Sequence, residues 1–371
     1  MIKRTNVKVH DLVPGMIIDQ SIVNESGREL IARGHTLERG QIEALKKLGI
    51  QQVYISGGVA ETHEEGVLRS EEPRVSAQAE LVIEEITKED RASVELSDSV
   101  KARVAEGVRY MFDNPASDET INMTSNIISD IMGNIMSNDA IAVDVDALKV
   151  CDEYTFKHSV DVATMAMIVA KKAGLPQSDI HDIGVAGLLH DIGKAQIPLE
   201  VLNKPGKLTD AEFDLMKKHS LFGYEIIKDK PDLTPLIKLG VLQHHEKING
   251  KGYPNGIVQH QISPYARILT VVDIYDALVT ARPYKKAFSK RDAVEMIMTM
   301  TDGLDVNAMK NFMHSVILYP VGSLVTLSNG EVCKVVENFT TSILRPKVVN
   351  IQTGQVHDLS NDLHCANLII L

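Results

Sequence analysis

Apolar residues recur at helical spacing through the middle of the chain, from about residue 79 to residue 318. A repeat of three to four residues is the period of an amphipathic helix, whereas a half-buried strand alternates. The pattern predicts helices at residues 81–91, 97–112, 120–136, 153–173, 178–190, 209–229, 233–246, 264–281, 289–301 and 305–318. Asp210 and Ser289 are predicted N-caps, and Gly174-Leu175-Pro176 is a stop signal. Residues 79–318 are therefore predicted to form one helical domain.

The first part of the chain has a shorter and more mixed pattern. It combines an amphipathic helix at residues 37–48 with a strand at residues 52–55. We expect a small mixed α/β domain over residues 1–57, with a regulatory role. Residues 58–78 are polar and acidic, which predicts a linker.

After Tyr319-Pro320 the pattern changes to short runs rich in β-forming residues. These runs lie at residues 323–327, 333–338, 347–351 and 368–371. Turn signals at Asn329-Gly330 and Thr353-Gly354 separate such runs. Residues 319–371 are predicted to form a short β-rich module. The expected fold class is therefore mainly α, with a small α/β domain before the helices and a β-rich module after them.

Composition and charge narrow the class of protein. With 44% hydrophobic residues in 371 positions, the chain can bury a sizeable core and suits two or three domains. The net charge of −11 argues against a nucleic-acid polymer as the main partner, because such binding needs a basic face. The chain contains no run of about 18 apolar residues, so no membrane span is expected. Three well-separated cysteines fit a reducing compartment, and we expect a cytoplasmic protein.

Histidine and aspartate occur in the helical region in a set that contains no cysteine. The set is His158, His190, Asp191, His219, His244, His245 and Asp273. Imidazole and carboxylate ligands of this number suit iron, manganese or zinc. Each residue alone has an ordinary alternative, such as a buried core histidine, a helix cap or a solvent-facing side chain. Together they come from six separate elements, and we predict a metal centre.

Two adjacent pairs in the set indicate more than one ion. The carboxylate in His190-Asp191 can bridge two ions while the imidazole holds one of them. Two ions about 3.5–4 Å apart can share a hydroxide and clamp a phosphoryl group. The side chains of His244-His245 point about 100° apart on a helix, so both serve one site only beside two ions or a broad cavity. Asp273 lies in a strongly apolar helix, where a carboxylate is costly unless it is paired or metal-bound. These features together predict a metal-dependent phosphohydrolase.

The motifs between about residue 150 and residue 318 resemble those of a known family. They are His190-Asp191-Ile192-Gly193-Lys194, His244-His245-Glu246, Gly250-Lys251-Gly252-Tyr253-Pro254, Asp273-Ile274-Tyr275-Asp276-Ala277-Leu278 and Arg282-Pro283-Tyr284-Lys285. In this order they resemble the HD-GYP family of bacterial cyclic dinucleotide phosphodiesterases. A bare His-Asp pair would indicate only the wider HD phosphohydrolase superfamily, and the Gly-Tyr-Pro segment narrows the choice. The resemblance implies a helical HD-type phosphohydrolase domain.

The resemblance also implies roles for individual residues. All seven His and Asp residues would be metal ligands, with Asp191 as the bridge. Lys194 would neutralise or protonate phosphate oxygens beside it, so Asp191 and Lys194 form the expected catalytic pair. Arg282 and Lys285 would hold the phosphates, and Tyr253 and Asp276 complete the expected substrate-binding set. An Arg fork with a nearby Lys suits a phosphate clamp, although a solvated basic patch is the ordinary alternative.

The implied reaction is hydrolysis of cyclic di-GMP to linear pGpG by a hydroxide that bridges the ions. The sequence leaves open whether a second hydrolysis continues to GMP. The first alternative is a phosphodiesterase for 3′,3′-cyclic GMP-AMP, since no residue distinguishes guanine from adenine. A second alternative is a catalytically weak sensor or interaction module. A third is another HD-type hydrolase that acts on nucleotides, against which the Gly-Tyr-Pro and Arg-Pro-Tyr-Lys segments count.

The expected cofactor is a pair of divalent ions, iron or manganese first, with nickel or zinc also compatible. Some relatives carry a third ion on a Glu one helical turn before the first His. Here the residue four positions before His158 is Tyr154, and Glu153 lies about 140° away from that face. We therefore expect two metals, and Glu153 would be a ligand only if the start of the helix is irregular.

The resemblance also suggests partners. The Gly252-Tyr253-Pro254 loop is linked in the family to contacts with diguanylate cyclase domains. Near the N-terminus, the segments Val9–Met16 and Leu48–Ile55 resemble a domain of unknown function that often precedes HD-GYP modules. A homodimer is compatible with this organisation.

Overall fold

The fold is taken from a computed structural model, which describes most of the chain after residue 75 and short segments before it. The described residues are 4–13, 16–20, 22–23, 29–31, 35–37, 41–42, 45–46, 50, 52–56, 75–90, 98–137, 154–280 and 287–371. The chain divides into two compact units, residues 1–71 and 72–371.

The first unit is built on small antiparallel sheets. Its strands are β1 (Arg4–Lys8), β2 (Ile17–Ile18), β3 (Ile22–Val23), β4 (Glu29–Ile31) and β5 (Gln52–Ser56). β5 lies between β1 and β2, and β3 pairs with β4. The register places Val7 opposite Val53, and both side chains are buried with Ile55 and Leu45. The predicted strand at residues 52–55 is confirmed, and residues 41–42 and 45–46 of the predicted helix are helical.

Helices form most of the second unit. They are α1 (Ala77–Ile86), α2 (Asp98–Asp113), α3 (Asp118–Ser137), α4 (Tyr154–Lys172), α5 (Gln177–Leu189), α6 (Leu199–Leu202), α7 (Asp210–Lys217), α8 (His219–Ile227), α9 (Pro235–Gln243), α10 (Pro264–Val279), α11 (Lys290–Met298) and α12 (Val306–Met313). The mainly α fold class is confirmed, because each predicted helix after residue 79 has a counterpart. No helix in the described part of the chain is long and apolar enough to cross a membrane.

Two details of the helical region differ from the prediction. The single helix expected at residues 209–229 is two helices, α7 and α8, which are separated at Lys218. Asp210 is not the N-cap of α7 but its first residue. The cap is Thr209, whose hydroxyl accepts from the Glu212 N–H while the Glu212 carboxylate accepts from the Thr209 N–H. The cap at Ser289 is confirmed, since its hydroxyl accepts from the Asp292 N–H.

The helical core depends on close approaches between helix backbones. α5 packs on α4 through Gly187, where an added Cβ would lie 2.8 Å from Ala163 Cα. A short 3₁₀ helix at Ile192–Gln196 follows α5 and packs against α8. There an added Cβ on Gly193 would lie 2.0 Å from His219 O and 2.3 Å from Gly223 N. The chain after His190 and the start of α8 are therefore brought together at van der Waals contact.

The C-terminal module is a four-stranded antiparallel meander, β6 (Leu324–Thr326), β7 (Val332–Glu337), β8 (Lys347–Asn350) and β9 (Val356–Asp358), in that order. The predicted runs at residues 323–327, 333–338 and 347–351 correspond to β6, β7 and β8. The run at residues 368–371 is not a strand but makes one bridge, between Leu327 and Ile370. β9 was not predicted, because its three residues carry too short a pattern.

Helix α1 packs on this C-terminal sheet. Its Ala79 and Ile83 share an apolar cluster with Val336 of β7 and Val349 of β8. The Lys88 N–H donates to Val336 O at 2.9 Å. The limits of the helical domain at residues 79 and 318 stay a prediction. The structure shows in addition that α1, at the start of this region, contacts the sheet that follows it.

Replacement of Gly193 by Ala tests the close approach. The new methyl group would meet the backbone of His219 and Gly223, which cannot rotate away, so we expect destabilisation by about 1–3 kcal/mol or more. The measurement is the denaturant midpoint by circular dichroism. The matched control is Gly133→Ala in α3, where nothing lies within 4 Å of the added Cβ and the better helix former should add up to about 1 kcal/mol. Equal midpoints for the two variants would contradict the packing argument.

Candidate metal centre

The seven predicted ligands converge from five helices. His158 lies in the second turn of α4, Asp273 lies within α10, and His219 begins α8. His190 and His244 are the C-cap residues of α5 and α9, so each adjacent pair of ligands sits where a helix ends. Four of the imidazoles, together with both aspartates, are buried. The sequence prediction that these residues meet in one place agrees with the geometry.

Hydrogen bonds donated by Nδ1 orient four of the five imidazoles. His190 Nδ1 donates to Gly187 O at 2.7 Å, His219 Nδ1 to Met216 O at 2.8 Å, and His244 Nδ1 to Val241 O at 2.8 Å. His158 Nδ1 lies 2.6 Å from Asp276 Oδ2. A carbonyl oxygen can only accept, so Nδ1 carries the proton and a neutral ring keeps a lone pair on Nε2. Each of these rings therefore presents its Nε2 to the centre.

The Nε2 atoms form two groups on either side of Asp191. In the first group, His158 Nε2 lies 3.2 Å from His190 Nε2 and 3.2 Å from Asp273 Oδ1. In the second, His219 Nε2 lies 3.2 Å from His244 Nε2. Asp191 Oδ2 lies 3.3 Å from His190 Nε2, and Asp191 Oδ1 lies 3.3 Å from His219 Nε2. One carboxylate thus faces both groups, as a bridging ligand would.

The geometry fits cations in both groups. Two Nε2 lone pairs that face each other at 3.2 Å repel unless a positive charge lies between them. Asp191 Oδ1 is buried and has no hydrogen-bond partner among the described residues. A buried carboxylate oxygen without a donor is costly unless a metal takes that place. Imidazole nitrogen and carboxylate oxygen without sulfur suit borderline divalent ions.

The pKa directions agree with a centre that attracts positive charge. Burial raises the pKa of Asp191, but His190 and Lys194 outweigh it and hold the pKa well below the ordinary value. Burial likewise opposes ionisation of Asp273, and its contact with His158 reverses this and lowers the pKa. Burial also lowers the pKa of His245, to about 3. The carboxylates are therefore charged and His245 is neutral, which are the states that bind a metal.

The open side of the centre is formed by His245 and Tyr253. The His245 side chain is 24% exposed, and its Nδ1 lies 3.6 Å from Asp273 Oδ2. The Tyr253 ring lies 4.6 Å from the His245 ring, between centroids. The Lys194 ammonium contacts Asp191 Oδ2, and the Lys194 side chain is 25% exposed, so it lies at the rim of the centre. Both predicted positions, Tyr253 and Lys194, thus border the metal ligands.

Asp276 does not fit its predicted substrate contact. It is fully buried, and its carboxylate accepts from His158 Nδ1 at 2.6 Å and from the Thr280 hydroxyl at 3.2 Å. A side chain without access to solvent cannot touch a substrate in the cavity. We correct its role to a positioning residue that orients His158 from behind. The predicted phosphate contacts Arg282 and Lys285, and Glu153, lie outside the described residues.

A buried glutamate that sequence reasoning passed over holds the Gly-Tyr-Pro loop. Glu246 directly follows the histidine pair, and its carboxylate accepts from the N–H groups of Asn255 at 2.7 Å and Ile257 at 3.2 Å. An added Cβ on Gly252 would lie 2.3 Å from Lys247 N. Position 252 therefore requires glycine, because the loop passes close to the backbone of Glu246 and Lys247. The signal was present in the motif His244-His245-Glu246, but a letter sequence does not show which backbone a carboxylate will meet.

A cavity of about 680 Å³ opens beside the centre. His245 and Tyr253 form part of its wall, and three lysines, Lys217, Lys247 and Lys251, line it as well. The sequence reasoning did not assign these lysines. Each lies within two positions of a predicted site residue, which is the signal that could have found them. Their positive charge suits an anionic ligand.

Family models match most of the chain. One described as HD domain matches residues 123–307, and one described as a domain of unknown function, DUF3391, matches residues 4–145. Cyclic di-GMP phosphodiesterase PA4108 of Pseudomonas aeruginosa is 32% identical over 358 residues, which cover 94% of this chain and 84% of that protein.

Two other relatives match shorter stretches. The cyclic di-GMP phosphodiesterase response regulator RpfG of Xanthomonas campestris is 44% identical over 128 residues, covering 34% of this chain and 33% of RpfG. The 3′3′-cGAMP-specific phosphodiesterase 3 of Vibrio cholerae is 37% identical over 134 residues, covering 36% of this chain and 29% of that protein. This chain thus spans about a third of the length of each.

Replacement of Asp276 by Asn tests the positioning role. The amide keeps the shape of the side chain but removes the charge that orients His158, so metal affinity should fall about 10–100-fold. The measurement is Mn²⁺ binding by the metal-stripped protein in equilibrium dialysis. Asp182→Asn, a half-buried aspartate of α5 that accepts from the Thr234 hydroxyl, is the matched control and should bind normally. Unchanged affinity in Asp276→Asn would rule out the assigned role.

Proposed function

Because this chain belongs to the HD-GYP family of cyclic di-GMP phosphodiesterases, with a DUF3391 domain at its N-terminal side, we propose that it hydrolyses cyclic di-GMP to linear pGpG and further to GMP. The observation that carries the proposal is the placement of Asp191 between two groups of imidazoles beside a lysine-lined cavity. A phosphodiester carries negative charge, and the cavity is lined by three lysines against one carboxylate, that of Asp302.

HD domains are metal-dependent, and the residues present fit two ions. His158, His190 and Asp273 would hold one ion, His219, His244 and His245 the other, and Asp191 would contact both. When bound, such ions lower the pKa of water and offset the charge that develops at phosphorus. The ligands are nitrogen and oxygen without sulfur, which suits borderline divalent ions. Among these ions we propose iron or manganese first, with nickel or zinc also compatible.

Lys194 and Tyr253 would act on the diester from the rim. The Lys194 ammonium lies at the edge of the centre, where it can donate to a non-bridging phosphate oxygen or pass a proton to the leaving oxygen. Burial raises the pKa of Tyr253, so its phenol stays protonated and can donate a hydrogen bond. These are the positions at which charge develops during cleavage, and preorganised donors there lower the barrier.

The cavity lysines would orient the rest of the cyclic dinucleotide. Lys217 lies over the Phe213 ring, with Nζ 5.2 Å from the centroid, and pairs with Asp214 at 2.6 Å. Lys247 and Lys251 precede the Gly-Tyr-Pro loop in the chain and line the same cavity. Three ammonium groups in one cavity suit a ligand with two phosphates. Arg282 and Lys285 stay proposed phosphate contacts as well.

A second candidate substrate is 3′,3′-cyclic GMP-AMP. The observation in its favour is the similarity to the Vibrio cholerae phosphodiesterase that is named as specific for it. The lysines read phosphates and not bases, so they are consistent with either substrate. A direct comparison of the two cyclic dinucleotides under the same metal conditions separates them.

The proposed partners concern the Gly-Tyr-Pro loop and the N-terminal unit. Asn255 and Gly256 at the loop tip are exposed, which supports a contact with a diguanylate cyclase domain there. We also propose a regulatory role for residues 1–57, a homodimer and a cytoplasmic location.

The catalytic assignment is tested with Asp191→Asn and His190→Gln. Both variants remove a ligand while nearly preserving volume, so hydrolysis of cyclic di-GMP with Mn²⁺, or anaerobically with Fe²⁺, should fall about 10³-fold or more. The readout is chromatography of pGpG and GMP, with circular dichroism as the measure of folding. His181→Gln, on the same α5 helix and bonded to Ser125, should keep full activity. Wild-type turnover in both ligand variants would refute the proposal.

The lysine wall is tested with Lys217→Ala and Lys251→Ala. Loss of a charge-assisted hydrogen bond of about 1.5–3 kcal/mol should raise KM for cyclic di-GMP roughly tenfold or more, with a smaller change in kcat. Lys218→Ala is the matched control, because Lys218 is exposed and next to Lys217 but does not line the cavity. The same KM in all three variants would show that the diester does not use this wall.

A further inference from the structure

A second cluster of potential metal-ligating side chains lies in the C-terminal sheet. It is in a different part of the fold from the candidate metal centre around Asp191, which we call the HD centre. Glu331 immediately precedes β7, Cys333 lies in β7, and His357 is the central residue of β9. One ligand atom from each of the three residues lies within 4.8 Å of the others. Cys333 and His357 are buried, with 0% and 5% of their surface exposed. The cluster is thus mostly shielded from water.

The strand register explains why these residues meet. Cys333 is opposite Asn350, and Val348 is opposite both Val335 and His357, so these positions share one face of the sheet. Glu331, two positions before Cys333, projects to the same side. This is the face that packs under the C-terminal segment, through Leu359 and Cys365. Helix α1 covers the opposite face.

Neighbouring side chains orient the cluster. Asn350 Nδ2 donates to Glu331 Oε2 at 2.9 Å. His357 Nε2 lies 2.7 Å from the same carboxylate oxygen, while His357 Nδ1 lies 3.9 Å from Cys365 Sγ. The ring therefore has one nitrogen directed at Glu331 and the other at a buried thiol. Such a partner on the far nitrogen is how proteins fix the orientation of a ligating imidazole.

We propose that Glu331, Cys333 and His357 form a binding site for one divalent ion of the zinc class. A carboxylate oxygen, a thiolate and an imidazole suit zinc or cobalt and leave a fourth position for water or another ligand. Cys365 acts as a positioning residue through His357. An ion here cross-links β7 to β9 across β8 and so stabilises the C-terminal module.

The sulfur ligand distinguishes this site from the HD centre. Burial raises the pKa of Cys333 to about 12, so the thiol releases its proton to solvent when an ion binds. None of the HD-centre ligands is a cysteine. The simple alternative is a buried His357–Glu331 hydrogen bond that ties two strands together without any ion. The two possibilities differ in whether a metal–sulfur bond forms.

Cobalt binding to the full chain distinguishes a metal site from an ion-free hydrogen bond between His357 and Glu331. The metal-stripped, reduced protein is titrated with Co²⁺, and the near-ultraviolet charge-transfer absorption of a cobalt–thiolate bond is recorded. We expect this absorption in the wild type and in the Asp191→Asn, His190→Gln double variant, where it should saturate at one cobalt per chain. It should disappear in Cys333→Ser and remain in Cys151→Ser and Cys365→Ser, with weaker binding in the last. Cys151 lies outside the described residues.

The wild-type titration can overturn the proposal without any variant, so a folding defect in Cys333→Ser cannot shield the proposal from a negative result. Absence of the charge-transfer absorption in the wild type would overturn the proposal. So would its persistence in Cys333→Ser, or its loss in Cys365→Ser with retention in Cys333→Ser. Because no phosphodiesterase assay is involved, the outcome is independent of the proposed function.

Discussion

The hydrogen bonds from histidine Nδ1 to main-chain carbonyls are the interaction on which the centre depends. The last carbonyls of a helix have no partner within the helix and must find one elsewhere. His190 and His244 stand at the ends of α5 and α9, and each donates to the carbonyl three residues before it. His219 does the same with Met216, in the last turn of α7. Each of these hydrogen bonds thus gives a carbonyl at a helix end a donor and also turns the Nε2 atom of the ring toward the centre.

This requirement explains features of the fold that otherwise look like irregularities. The interruption between α7 and α8 at Lys218 gives His219 a helix end of its own, which a continuous helix would not provide. Gly193 allows the chain after Asp191 to touch the backbone at His219, so both groups of ligands share one carboxylate. The positions of the ligands therefore follow from where helices stop as much as from where they run.

The sequence was a good guide to residue types and a poor guide to orientation. The helices, the mainly α class and the meeting of seven His and Asp residues could be predicted, because apolar periodicity and unusual His-Asp pairs are visible in the sequence. The role of these residues as metal ligands stays a prediction. Asp273 and Asp276 are three residues apart on α10, and the sequence could not show that one faces the centre and the other lies behind His158. The Thr209 cap was missed by one position because Asp, which follows it, is the more strongly preferred N-cap residue. The lysine wall was missed because it depends on tertiary proximity.

The contact between α1 and the C-terminal sheet places the two flanks of the catalytic helices side by side. Residues 75–90 and 319–371 are far apart in sequence, yet Asp90 accepts from the Val321 N–H at 2.5 Å and from Asn338 at 2.7 Å. Within the second unit, the segment that precedes the catalytic helices and the segment that follows them are therefore in contact. A fragment that ends before Tyr319 would expose the apolar side chains of Ala79 and Ile83, so a stable catalytic fragment must contain both α1 and the C-terminal sheet.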